Sequence, residues 1–157
     1  MKNTNKASNN QATVFDVAQY ILNKIGRTTT MKLQKLVYYA QAWSLAWDDA
    51  PLFNEKIEAW ANGPVVPSLY HAHKGKYFIT ASDLSDNISD NIQFSDESIE
   101  TLDIVIKTYA RLSSFQLVEL THDQNPWKEA RAGCPVGEPC TNEISHSSMA
   151  EYYSSIN

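Results

Sequence analysis

Two cysteines and four histidines are the side chains of this 157-residue sequence best suited to metal or nucleophile chemistry. Cys134 and Cys140 stand six apart in the run GCPVGEPC, with His122 and His146 on either side. Structural zinc takes about four N/S ligands in a tetrahedron, and its close ligand pairs enclose about two to four residues. This pair is spaced more widely and no CxxC exists, so the sequence predicts no metal site, no disulfide framework and two free thiols. His71 and His73 lie two apart, which on a helix sends the imidazoles to different faces. Tyr70 and His73, at i,i+3, form one packed and hydrogen-bonded edge instead.

His122 next to Asp123 has the composition of a base with an orienting acid. A general base needs a positioned partner, however, and a histidine ending a helix equally serves the last carbonyls and the dipole. The nucleophile elbow GxSxG and the phosphate loops GxGxxG and GxxxxGK[ST] are missing. The acids of residues 83–103 do not match a calcium loop. No catalytic, cofactor or metal residue is assigned, and the chain is expected not to be an enzyme. What stands out is aromatic: Trp43, Trp47, Trp60 and Trp127 with eight tyrosines. Most of these fall at helical spacing and read as core. Trp60 precedes the rigid run GPVVP on an edge strand, and Trp127 follows a proline at a helix start. Tryptophan beside a rigid surface turn suits an anchor for a protein partner; packing beneath the turn to fix it is the other reading, and both stay open.

The elements that must position these residues follow from patterning. Length fits one domain, residues 13–157, behind a polar, asparagine-rich tail, residues 1–12, expected to be disordered. That tail lacks the apolar stretch of a signal peptide, and no run of about 18 apolar residues suggests a membrane span. Together with the sparse cysteines this points to the cytoplasm, with no membrane contact. Thr13 and Asp16 open a helix that Gly26 closes. A second helix, about 30–48, is uncharged from 36 to 47 and presents Leu33, Leu36, Val37, Ala40, Trp43 and Trp47 on one broad face. It reads as the central buried helix, within which Gln34 and Gln41 need partners. Residues 55–62 alternate as a short strand, GPVVP reads as a turn, and Pro67 starts a short helix to about 74. Residues 77–79 are expected to pair with 56–60, and the acidic stretch 80–95 is expected to be a mobile loop. Further helices start at Ser95, at Ser113 with a Ser–Gln capping box, at Asn125 as a cap before Pro126, and at about 142. The fold class is mainly α: a compact bundle of about six to seven helices with a small two- or three-stranded antiparallel element near residues 55–80.

The net charge of −5 divides unevenly, with +5 in residues 1–35 and −8 in residues 48–103. The basic part reads either as a solvated helix face or as a contact for nucleic acid.

Three blocks in order carry a resemblance. Residues 31–43, MKLQKLVYYAQAW, residues 51–74, PLFNEKIEAWANGPVVPSLYHAHK, and residues 120–131, LTHDQNPWKEAR, followed by EYY at 151–153, resemble the Panacea-domain antitoxins, including SocA-like and phage-associated GepA-like proteins. Met31 stands where that family usually has Thr. The resemblance implies an antitoxin that binds and neutralises a cognate toxin protein, with proteolytic delivery to an ATP-dependent protease as one mode. Trp60, Gly63, Pro64, Val65, Tyr70, His122 and Trp127 are the expected partner-binding residues; building the core, with specificity left to surface loops, is their alternative role. A nucleic-acid-binding autorepressor and an uncharacterised enzyme using His122 are the competing functions.

Overall fold

The structure, a computed structural model, describes residues 11–90 and 92–156. Of the tail expected to be disordered, residues 1–12, all but Gln11 and Ala12 lie outside the described residues. Among the described residues there are seven α-helices and two small sheets.

Helix α1, Val14–Ile25, opens on a reciprocal capping box: the Asp16 N–H donates to Thr13 Oγ1, and Asp16 Oδ2 accepts from the Thr13 N–H at 2.8 Å. Its apolar stripe, including Val14, Val17, Ile21 and Leu22, is buried. Gly26 ends it with φ at 79°. Strand β1, Thr28–Thr29, leads into α2, Thr30–Asp48, whose first turn is capped by the Thr29 hydroxyl accepting from the Lys32 N–H at 3.1 Å.

Helix α2 is the axis of the molecule. Every residue from Leu33 to Leu45 is buried, because other elements cover it on all sides. That explains the absence of charge from 36 to 47: a wholly enclosed helix has no face for it. Gln41 satisfies itself on backbone, and Gln34 on the Val66 backbone and the His73 ring. Gln41 accepts from the Leu52 N–H and donates to the Phe53 carbonyl, pinning the chain after the helix. Trp47, expected on the buried face, is 37% exposed. It sits in the last turn of α2, where its ring leans on Trp43 at 4.7 Å.

Strand β2, Ile57–Trp60, pairs antiparallel with β3, Gly63–Val65, across the two-residue turn Ala61–Asn62. GPVVP is therefore a strand rather than a turn: Gly63, Pro64 and Val65 stand opposite Trp60, Ala59 and Glu58. Val66 then leads into α3, Pro67–His73. The other edge of β2 pairs with β5, Glu143–Ile144. With both edges of β2 occupied, β4, Phe78–Ile79, pairs instead with β1, and the expected pairing of 77–79 with 56–60 does not form. The Thr30 N–H donating to the Tyr77 carbonyl at 2.9 Å extends this second ribbon.

The acidic stretch begins with a 3-10 turn, Ala81–Leu84, and the Ser89 N–H donates to the Asp16 carboxylate at 2.8 Å. Helix α4, Asp96–Tyr109, and helix α5, Ser114–His122, start at the serine caps expected, the second with its full Ser113–Gln116 box. Helix α6, Asn125–Ala130, is preceded by Gln124 rather than capped by Asn125. Gln124 makes no cap bond because its Oε1 accepts instead from the hydroxyls of Tyr39, 2.8 Å, and Tyr153, 2.7 Å. Helix α7, His146–Ile156, starts later than about 142, because Glu143 and Ile144 are taken by β2. Tyr153 of α7 is wholly buried against Tyr38 and Trp43, which is how the terminal EYY closes the core.

The free thiols expected at 134 and 140 are corrected: Cys134 and Cys140 form a disulfide, Cα to Cα 6.0 Å. The Gly/Pro-rich loop turns back on Arg131, whose Nη2 donates to the carbonyls of Pro135, 2.8 Å, and Glu138, 2.7 Å, and this brings the two sulfurs together.

Candidate functional site

The β2–β3 hairpin gathers the seven residues singled out in the sequence into one region with two sides. On one side a cavity of about 480 Å³ is walled by Met31, Trp60, Val65 and Tyr70 and bounded by Pro139 and Cys140 of the disulfide loop. Trp60 meets Tyr70 edge to face at 5.0 Å, and its indole N–H is fixed by Glu58 Oε1 at 2.8 Å. Tyr70 in turn stands edge-on to His73 at 5.5 Å, packed as their spacing predicts but not joined by the expected hydrogen bond, because His73 Nε2 meets the Gln34 amide instead.

On the far side, His122 stacks flat on Trp127, with centroids 4.0 Å apart. The Trp127 N–H donates to the Trp60 carbonyl at 2.8 Å, and Arg131 Nη1 donates to the Ala59 carbonyl at 2.9 Å. Trp127 and Arg131, from the PW and AR of the third sequence block, thus brace the back of the hairpin. His122 does not line the cavity, and its Nε2 lacks a hydrogen-bond partner among the described residues. Burial holds its pKa below the usual histidine value, with Lys35 and Arg131 pushing the same way, against the Ala61 backbone and Glu119.

The residue that sequence reasoning missed is Lys35. It projects from α2 onto the cavity floor and is 1% exposed. Its ammonium donates to the Pro64 carbonyl at 3.3 Å. No carboxylate pairs with it among the described residues. Loss of hydration pushes its pKa down to about 7. The signal was present: three, four and seven residues on lie Tyr38, Tyr39 and Ala42, so Lys35 shares a helix face with core side chains.

Lys35 also explains Gly63. That residue has φ at +113°, and a Cβ there would stand 2.6 Å from Lys35 Cε and 3.0 Å from Thr121 Oγ1. Beside Lys35, the Gln34 amide donates to His73 Nε2 at 3.0 Å and its Oε1 accepts from the Val66 N–H at 2.9 Å. With Nε2 accepting, the His73 ring is neutral; burial and then the Lys35 charge hold its pKa below the ordinary value, opposed by a backbone hydrogen bond. The KLQK segment therefore builds the cavity floor rather than a solvated basic face. Lys32 is likewise engaged, donating to the Ala110 carbonyl at the end of α4. No cluster of three or more His, Cys, Asp or Glu fit to hold a metal occurs among the described residues.

The Antitoxin SocA-like, Panacea domain family model matches residues 33–128, more than half of the chain. The chain belongs to the SocA-like Panacea-domain family. Antitoxin SocA of Caulobacter vibrioides (strain NA1000 / CB15N) is 35% identical over 124 residues, covering 71% of this chain and 66% of that protein, just under two thirds of its length. No solved structure matches the chain. The Panacea match takes in α2, the hairpin and Trp127, and so the cavity floor and its aromatic walls.

Proposed function

We propose that this Panacea-domain chain binds and neutralises a cognate toxin protein, docking it at the mouth of the Trp60–Tyr70 cavity. One observation carries the choice of surface. Exposed apolar side chains lie at the cavity and beside it in the chain fold: Met31, 38% exposed, in its wall, and Tyr77, 71% exposed, whose carbonyl accepts from the N–H of the lining residue Thr30. A pocket edged by tryptophan and tyrosine, with large apolar side chains left uncovered around it, has the composition of an interface centre. Val65 takes part as wall, Gly63 and Pro64 as the support that holds Lys35, and His122 and Trp127 as bracing behind the hairpin.

Co-expression with the product of the neighbouring gene tests the reading. The neighbour alone is expected to arrest growth, and this chain to restore it. Tyr70→Ala with Tyr77→Ser is expected to abolish rescue while leaving the fold intact by circular dichroism. Rescue that survives those changes removes the docking surface, and a harmless neighbour removes the antitoxin reading. The toxin's half-life during rescue separates the two modes: unchanged for sequestration, shortened for delivery to an ATP-dependent protease. Under this reading the protein acts in the cytoplasm beside its toxin.

A further inference from the structure

We infer that the cavity over Lys35 is a receptor for a carboxylate carried on an aromatic or branched apolar body. Three observations combine. First, the floor holds a buried ammonium whose hydrogen-bond partner among the described residues is the Pro64 carbonyl at 3.3 Å, although an ammonium offers three donors. Second, no aspartate or glutamate lines the cavity of this net acidic chain; its ionisable lining groups are Lys35, Tyr70 and His73. Third, the walls are Met31, Trp60, Val65 and Tyr70, and about 480 Å³ lies within the range of small-molecule sites. A buried charge without a counter-charge is costly, and a ligand that brings a carboxylate supplies the missing partner. The walls reward an apolar body behind that carboxylate and offer little to a hydrated inorganic anion.

The carboxylate has two sources, a free aromatic acid or an acidic residue next to an aromatic one on a protein partner. The second rests on the docking surface proposed above; the first does not.

Titration of the full chain near pH 7, followed by tryptophan fluorescence and by amide shifts, tests the inference with four probes. These are indole-3-acetate, its neutral counterpart indole-3-acetamide, a capped Phe-Glu dipeptide and the capped Phe-Gln dipeptide. Either acid is expected to bind about tenfold or more tightly than its own amide, as a charge-assisted hydrogen bond requires. Lys35→Met is expected to abolish that preference. The comparison of acid with amide uses the unaltered chain, so it decides even if the variant fails to fold. An amide that matches its acid, or no binding by any probe at millimolar concentration, overturns the inference. Preference for the free acid assigns a small molecule, and preference for the dipeptide assigns a protein partner. A chain that binds the acid yet rescues growth equally well as Lys35→Met keeps this site and removes the toxin as the source of its carboxylate.

Discussion

Lys35 gives up nearly all of its hydration on folding and, among the described residues, gains one hydrogen bond to a carbonyl. Its pKa falls from 10.5 to about 7, so between those pH values the unfolded chain holds a proton that the folded chain does not. Stability therefore rises as pH increases from about 7, by an amount on the order of a few kcal/mol, until near pH 10 the buried Tyr38, Tyr39, Tyr109 and Tyr153, whose pKa values burial raises, begin to oppose it. The two imidazoles facing Lys35, His73 and His122, have lowered values and act only below their ordinary 6.5, outside this window. Urea unfolding at pH about 7, 8 and 9, below the range where the tyrosines ionise, is expected to show the rise, and Lys35→Met to flatten it while raising stability at neutral pH. A flat profile for the unaltered chain refutes the charged, buried lysine. Gly63 is bound to the same feature. Gly63→Ala adds a Cβ that meets Lys35 Cε at 2.6 Å on a backbone at φ +113°, and is expected to destabilise by about 2 kcal/mol or more. Shortening the neighbour in Gly63→Ala/Lys35→Ala is expected to recover the steric part, visible as a coupling in a double-mutant cycle.

Among the elements, the hairpin and the 133–141 loop hold each other. Arg131 bonds Ala59 on β2 and two carbonyls of the loop, and the Cys134–Cys140 disulfide closes the loop's neck. Closing so short a loop is worth about 2 kcal/mol by the chain-entropy estimate. The double variant Cys134→Ser/Cys140→Ser is expected to lose about that much in urea titration, and reduction of the unaltered chain to match it. A loss well beyond that value means the sulfurs do more than close a loop. Gln41 does the corresponding work for the chain leaving α2. Gln41→Ala strands the buried Leu52 N–H and Phe53 carbonyl, and is expected to cost about 1–3 kcal/mol for each group left unpaired, read by thermal or urea unfolding. Three helix starts were legible in the sequence because each cap is local: Thr13 with Asp16, Ser95 with Ser98, Ser113 with Gln116; those at Asn125 and His146 were not, because Gln124 and Glu143–Ile144 are taken by distant partners. Strand pairing was not, because two-residue strands such as Phe78–Ile79 choose partners by which edges the rest of the fold leaves open.

Across the whole molecule, the basic side chains described within the first 35 residues do not gather into one free face; Arg27, for one, lies over the Phe78 ring at 3.9 Å. Lys35 is internal, Lys32 ends α4, and Lys24 lies 3.9 Å from Asp103. The chain is accordingly expected to give no gel shift with its upstream DNA at moderate salt; a shift that weakens steeply with salt would restore the autorepressor reading. Sequence alone determined the helices, the central place of α2 and the family, since these depend on residues close together in the chain or on long blocks in fixed order. It also marked Trp60, Tyr70 and Trp127 by type, without dividing wall from brace. The tertiary structure decided that division, joined Cys134 to Cys140, and drew Lys35 inside to face Pro64 and Gly63. The helix face that Lys35 shares with Tyr38, Tyr39 and Ala42 marks it as turned inward, without saying which distant segments close over it. Its hydration, and hence its chemistry, is fixed by the hairpin that covers it, and no local pattern in the chain records that contact.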